Sequence, residues 1–495
     1  MSIPLLTAAE TAGWDQATIR SEPIASIDLM ERASRVFTEW FRERVRPDEP
    51  VTVLHGPGNN GGDGLAIARM LRERGHAVSC FGPSSGLSED AATNLARLGS
   101  TDVAHAPIDA FAPTPGDVVV DALFGSGLDR PIEGRWADLI ERTRSTGVRS
   151  FAVDVPSGLC MDRFLDGPVL PAEATLSFEV PKRVFLHPST GALAGDWSAR
   201  SIGLAPDHPM PVRAALTTDG DVRRLHRPRQ RFTHKGSHGH GLLAAGSKGS
   251  AGAAVLAARA ALSAGAGKLT VHTPISALVV LQTAVPEAMV RTDANALEIS
   301  DLADLSSFDA LAMGPGMDTH DAVRDAVLTA LDRWEGPLVL DADALNIVAA
   351  NDAIDRIPPN ALLTPHPGEL RRLVGPWRND FEKEDMVLDL ARRIDGHVLL
   401  KGAWSVLATA DGRLLYNCTG HPALATAGTG DVLTGILLAL LCQGHDAVDA
   451  ARIGSWLHGR AADIFVERTG SDRMRAGQVI DELPAAIADW RGQRA

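Results

Sequence analysis

Short apolar runs that end in glycine and polar residues recur along the whole chain, and helical periodicity fills the intervals between them. Thr7 and Glu10 have capping-box spacing and open a predicted helix that includes Trp14. A second helix is predicted around Ile27 to Phe41. Val51-Thr52-Val53-Leu54 then reads as a strand running into Gly56-Pro57-Gly58-Asn59-Asn60-Gly61-Gly62-Asp63-Gly64, after which Leu65, Ile67, Met70 and Leu71 recur at helical spacing. Gly75 ends that helix and Ala77 to Phe81 begins the next strand, completing a βαβ unit. Val118-Val119-Val120 runs into Asp121, and Phe151-Ala152-Val153 into Asp154. From Leu242 the same grammar returns. Strands Leu242–Ala245, Leu269–Val271, Ala310–Met313, Leu338–Leu340, Leu362–Thr364 and Val398–Leu400 each meet a polar or glycine-rich turn, and an Ala-rich helix spans about Gly252 to Ser263.

Between the two series, Ala205 to Arg231 holds Pro206, Pro209, Pro211 and Pro228, then Arg223, Arg224, Arg227, Arg229 and Arg231. The segment reads as a linker. Its arginines are either a solvated connector or a phosphate grip. Two α/β domains in series, residues 1–210 and 211–495, are expected, in keeping with a chain of 495 residues that exceeds the size of one hydrophobic core. The apolar share of 45% excludes disorder as the dominant state, and the low aromatic share of 5% with 47 glycines suits parallel sheets with closely packed helices. A net charge of −14 argues against a protein that coats nucleic acid or an anionic membrane. Four cysteines without CxxC spacing read as reduced thiols, and Glu10 and Asp15 stand where a signal peptide needs basic residues, so a cytoplasmic location is expected. The most apolar run, Val432 to Cys442, is too short to span a bilayer and predicts a buried helix.

Ligands of open parallel sheets bind beyond the carboxyl ends of the strands. In the first series that places Asn59, Asn60 and Asp63, then Asp121, then Asp154 and Ser157, on loops that can converge. Asn-Gly-Gly-Asp-Gly alone is equally well explained as turn chemistry with Asp63 as a helix cap. The available oxygen ligands suit a hard cation. Together with Asp121-Ala122-Leu123-Phe124-Gly125-Ser126-Gly127-Leu128-Asp129-Arg130-Pro131 and Asp154-Val155-Pro156-Ser157-Gly158-Leu159, the loop resembles the NAD(P)H-hydrate epimerase domain, over about Thr7 to Leu204. The resemblance implies a Rossmann-like three-layer fold. It also implies that Asn59, Asn60, Gly61, Gly62, Asp63, Gly125, Ser126, Gly127, Leu128, Asp129, Arg130, Pro131 and Asp154 contact the hydrated nucleotide. Asn60, Asp121 and Ser157 would hold a potassium ion. Asp121 and Asp154 become the candidate catalytic carboxylates. Ser34 stands where the family usually has glycine, at a position expected to lie outside the site.

In the second series Gly428-Thr429-Gly430-Asp431 leads into the apolar helix. Free amides at a helix N-terminus stabilise a transferring phosphoryl group, and Asp431 is placed to take a proton from an attacking hydroxyl. Asp431 is equally explained as a carboxylate favoured by the helix dipole. With Lys235-Gly236, Gly314-Pro315-Gly316, Asp341-Ala342-Asp343-Ala344-Leu345-Asn346, Thr364-Pro365-His366-Pro367-Gly368-Glu369 and Lys401-Gly402, the turn resembles the ADP-dependent NAD(P)H-hydrate dehydratase, over about Arg231 to the C-terminus. The resemblance implies a ribokinase-like fold. Ala253, Gly316, His366 and Asp431 would contact the hydrate, and Lys401, Gly402, Ala403, Trp404, Ser405 and Gly430 the adenine nucleotide.

The two resemblances imply one bifunctional repair activity. R and S epimers of NADHX and NADPHX would be interconverted in the first domain, which needs K⁺. The S epimer would be dehydrated in the second, with ADP as co-substrate and Mg²⁺, giving AMP, phosphate and NAD(P)H. The expected protein is a homo-oligomer acting on small molecules, with no nucleic-acid or membrane partner. A ribokinase-like small-molecule kinase carrying a non-catalytic nucleotide-binding module is the alternative.

Overall fold

A computed structural model of the chain describes residues 2–206, 213–302 and 304–492. It divides into two compact units: Pro4–Val212 with Asn379–Phe381, and Met1–Ile3 with Arg213–Arg378 and Glu382–Ala495. The expected boundary between residues 210 and 211 lies outside the described residues. Among those described, no helix is long and apolar enough to cross a membrane.

The strands, numbered along the chain, begin with the edge pair Ile3–Pro4 (β1). The N-terminal unit then contributes Val51–His55 (β2), Val78–Phe81 (β3), Ala104–Ala106 (β4), Val118–Ala122 (β5), Arg149–Val153 (β6), Ala174–Phe178 (β7) and Asp196–Arg200 (β8). They form a parallel sheet in the order β4-β3-β2-β5-β6-β7-β8. Because side chains alternate across a strand, neighbouring residues feed two cores. Val53, Val120, Phe151 and Val153 pack with Phe37, Trp40, Phe41 and Leu65. Leu54 and Val119 face Leu139 and Ile140. The result is the expected three-layer arrangement. Strand order reverses between β2 and β5, so the loops that follow them diverge and open a crevice. Gly56, first in one loop, permits this proximity: a Cβ there would lie 1.8 Å from the Leu123 carbonyl oxygen.

The second unit contains Ala214–Leu216 (β9), His240–Ala244 (β10), Lys268–Thr273 (β11), Met289–Thr292 (β12), Ala310–Met313 (β13), Leu338–Leu340 (β14), Leu362–Leu363 (β15), His397–Leu400 (β16), Val406–Ala408 (β17) and Leu414–Tyr416 (β18). With β1 they make an eleven-stranded sheet, β1-β9-β18-β17-β16-β15-β14-β13-β10-β11-β12. The pairs β16–β17 and β17–β18 are antiparallel, whereas the run from β16 to β12 is parallel. Here the order reverses between β10 and β13. The apolar helix Thr429–Cys442 is buried along almost its whole length, against the Ala-rich helix Ala251–Ser263 and the sheet.

The segment read as a linker needs correction. Residues 207–212 lie outside the described residues, but Ala214–Leu216 is a strand paired with β18. Thr218 and Asp221 then cap a helix at Asp219–Arg224 whose Val222 is buried. Four of the five arginines are tied to the protein itself: Arg224 pairs with Asp221, Arg223 donates to the Asp489 carbonyl, Arg227 to that of Gly444 (2.8 Å) and Arg229 to that of Gly265 (2.5 Å). The last two carbonyls follow the C-terminal ends of the helices Thr429–Cys442 and Ala251–Ser263, where cations are favoured.

Candidate active sites

A cavity of about 570 Å³ lies at the strand-order reversal of the N-terminal unit. Its wall includes Asn59, Asn60 and Asp63 after β2, Gly125 to Arg130 after β5, and Asp154 after β6. Gly61 and Gly62 are buried beneath that wall, and Pro131 is exposed beside it. Asp121, the penultimate residue of β5, is fully buried. Ser157 donates to both of its oxygens, through Oγ at 2.5 Å and N–H at 2.8 Å, and the Leu123 N–H adds a third bond. Burial pushes the Asp121 pKa up to about 6 against these hydrogen bonds. Asn60 packs onto Gly125, and its buried Nδ2 has no hydrogen-bond partner among the described residues.

Asp154 adopts a left-handed backbone (φ 65°) that turns its carboxylate back onto the Phe178 N–H (3.0 Å). Lys182, 0% exposed, places its ammonium 3.0 Å from the same Asp154 oxygen. Ser34, expected outside the site, belongs to its supporting shell. The helix Ser26–Arg42 packs on the helix Asn59–Glu73, so the Ser34 hydroxyl donates to Asp63 Oδ1 at 3.2 Å. A glycine could not make that bond.

In the second unit the residues after β13, β14 and β16 meet the N-terminus of the helix Thr429–Cys442. Gly314, with φ 132°, is the position where glycine is indispensable: a Cβ would lie 1.8 Å from the Asp341 carbonyl oxygen. Gly316 approaches Ala253, so two of the predicted substrate contacts adjoin. Lys401 donates to Asp341 Oδ1 at 2.6 Å and stands 3.8 Å from Glu369. Burial alone would lower the Lys401 pKa, but Asp341 and Glu369 raise it overall. The Thr434 hydroxyl donates to Asp341 Oδ2 at 2.7 Å, and Gly430 lies against the Lys401 ammonium. Asp431, in the first turn of the helix, has a pKa pushed up to about 6 by burial and then by Asp341. His366 caps the helix Pro367–Val374: its Nδ1 accepts from the Gly368 and Glu369 N–H groups. Its other ring nitrogen is 3.4 Å from Glu369. Gly402 and Ala403 are exposed, Trp404 is half-buried, and Ser405 hydrogen-bonds within the loop to Gly402.

Residues 241–485 match the NAD(P)H-hydrate dehydratase family, and residues 26–184 match the family described as YjeF-related protein N-terminus. The bifunctional NAD(P)H-hydrate repair enzyme Nnr of Moorella thermoacetica is 36% identical over 98% of this chain and 96% of its own. The chain belongs to the bifunctional NAD(P)H-hydrate repair enzymes. A solved ADP/ATP-dependent NAD(P)H-hydrate dehydratase of Bacillus subtilis, co-crystallised with ATP and Mg²⁺, is 32% identical to this repair enzyme. It covers 55% of the chain and 97% of its own, with a TM-score of 0.48. A ribokinase-like superfamily protein of Enterococcus faecalis, 21% identical over 57% of this chain and 99% of its own, has a TM-score of 0.50 and shares the fold.

Several residues around the repair enzyme's two clusters are assigned no role from sequence. Asp15, Glu179 and Lys182 line the N-terminal cavity. Asp341 joins Lys401 to Thr434, and His458 bonds to the Thr429 carbonyl at 3.0 Å, with its pKa lowered to about 4 by burial. Only the Asp-Ala-Asp motif hinted at any of these.

Proposed function

We propose that residues 1–210 epimerise R- and S-NAD(P)HX and residues 211–495 dehydrate S-NAD(P)HX, converting ADP to AMP and phosphate. The observation that carries this reading is that family membership over 98% of the chain coincides with a polar cluster beyond the strand ends of each sheet, at the strand-order reversal in the first unit and after β14 to β16 in the second. Family membership favours repair over the alternative of an alcohol kinase with an inert N-terminal module. Four free cysteines accord with a cytoplasmic protein.

In the dehydratase, Asp431 takes the proton of the C6 hydroxyl as that oxygen attacks the β-phosphorus of ADP and AMP departs. A pKa near 6 leaves Asp431 ionised at neutral pH and still basic enough to accept a proton. The amides of Thr429 and Gly430 and the Lys401 ammonium, held by Asp341, stabilise charge on the transferring phosphoryl. Phosphate, a far better leaving group than hydroxide, then departs from C6 while C5 loses a proton and the double bond re-forms. Ala253, Gly316 and His366 would border the hydrate, and Lys401 to Ser405 with Gly430 the nucleotide. Magnesium, arriving on the nucleotide, supplies neutralisation of its phosphate charge.

In the epimerase, Asn59, Asn60, Asp63 and the Gly125–Pro131 loop would bind the hydrate beside Asp154. The oxygens of Asn60, Asp121 and Ser157 suit a potassium ion. Asp121 is fully buried with no basic side chain paired to it among the described residues, so a cation there relieves an otherwise uncompensated carboxylate. Its chemistry would be charge compensation beneath the cavity wall.

The test is stoichiometry. S-NADHX with ADP and Mg²⁺ is expected to yield NADH, AMP and phosphate in equal amounts. A stable phosphate ester without NADH would reverse the choice in favour of a kinase.

A further inference from the structure

Five carboxylates line the N-terminal cavity, Asp15, Asp63, Asp129, Asp154 and Glu179, with Asp121 behind its wall, and they differ in what already holds them: Glu179 accepts from the Ser201 hydroxyl and the Ile202 N–H, and Asp129 is exposed to solvent. Asp121 sits behind the wall with its oxygens taking three bonds from Ser157 and Leu123. Asp63 is engaged by the Ser34 hydroxyl. Asp154 is fixed by the Phe178 N–H and the Lys182 ammonium. Asp15, on the helix Ala8–Ser21, lines the same wall as Asp154 and Lys182, and among the described residues nothing hydrogen-bonds to its carboxylate. Among the described residues it is therefore the one carboxyl of the six that is shielded from bulk solvent and still has no hydrogen bond to either oxygen.

We infer that Asp15 is the group that exchanges a proton with the C6 oxygen during epimerisation, an assignment that rests on reading this cavity as the epimerase site. Protonated Asp15 gives its proton to the C6 hydroxyl. The C6–O bond breaks with its electron pair leaving on water, and the N1 lone pair forms the N1=C6 bond. Water then adds to the opposite face, the π pair returns to N1, and Asp15 takes a proton back. No atom, charge or electron is gained or lost over the cycle. Burial, and after it the neighbouring Asp154, pushes the Asp15 pKa up to about 6, with Lys182 opposing and Glu179 adding to the rise, so both protonation states are accessible near neutral pH.

The experiment uses the full chain, purified R-NADHX, no nucleotide, and chromatographic separation of the epimers after subtraction of the uncatalysed rate. Asp15→Asn is expected to slow epimerisation by about 100-fold or more. Turnover of the S epimer with ADP by the same variant should stay at the wild-type rate, and the thermal transition of the N-terminal unit should be unmoved. Wild-type epimerisation should decline as pH rises through about 6, and the residual rate of Asp15→Asn should lack that limb. Asp15→Glu should restore both rate and limb. Epimerisation by Asp15→Asn within tenfold of wild type, or a slow variant that keeps the limb, overturns the assignment. If Asp15→Asn unfolds its unit, an Asp15→Glu variant as slow as background overturns it equally. Absence of epimerisation in the wild type removes the epimerase reading itself, and Asp15 with it.

Discussion

Replacing Asp341 by asparagine perturbs the proposed base without touching it. Asp431 owes a pKa of about 6, against the usual 3.8, first to burial and then to the Asp341 charge. With that pKa, roughly nine-tenths of Asp431 is ionised at about pH 7 and roughly a tenth at about pH 5. Dehydratase kcat/KM should therefore fall about tenfold over that interval, whereas a carboxylate of ordinary pKa would lose only about 5%. Asp341→Asn removes the repelling charge, and the Lys401 ammonium, no longer bound at 2.6 Å, is free to favour ionised Asp431. Both effects lower the pKa, so the acid limb moves to lower pH. The assay follows the return of reduced-nicotinamide absorbance from S-NADHX with ADP and Mg²⁺, read as the ratio of rates at the two pH values so that any general loss of rate cancels. The nucleotide phosphates also titrate near pH 6, so the limb is read on kcat/KM for S-NADHX with ADP and Mg²⁺ held saturating. An unmoved limb in Asp341→Asn would refute the reasoning.

Lys182→Met leaves Asp154 buried without its cation and should destabilise the N-terminal unit by about 3–5 kcal/mol in denaturant unfolding, while S-epimer dehydration persists. Gly314→Ala meets both a positive φ and the Asp341 carbonyl, and should cost the second unit about 2 kcal/mol or more, with epimerisation retained. Exchanging K⁺ for tetramethylammonium should slow epimerisation in the wild type but leave any residual rate of Asp121→Asn unchanged. The raised Asp121 pKa means that, without the cation, the folded unit loses stability as pH climbs from about 4 through about 6; K⁺ should therefore raise its thermal midpoint more at about pH 7 than at about pH 5.

The sites were legible because their residues abut the strands that betray themselves most clearly. Val118–Val120 and Leu338–Leu340 are wholly buried β-branched or leucine runs, and Asp121 and Asp341 follow them directly. Ala214–Leu216, Val406–Ala408 and Leu414–Tyr416 are three residues each, too short to display a period of two, which is why the first reads in sequence as part of a linker. Lys182 shows the other limit. A lysine in sequence reads as solvated, and only the tertiary pairing with Asp154 buries it completely. Asp15 likewise looks like an ordinary helix-surface carboxylate until the cavity closes over it.

The central claim, that one chain carries both repair steps, is tested most directly by a mixture of R- and S-NADHX given to the purified protein with excess ADP and Mg²⁺. The account expects all of the hydrate to return to NADH, in two phases whose slower one is abolished by Asp15→Asn once uncatalysed epimerisation is subtracted. Recovery that stops at the S fraction in the wild type would contradict it.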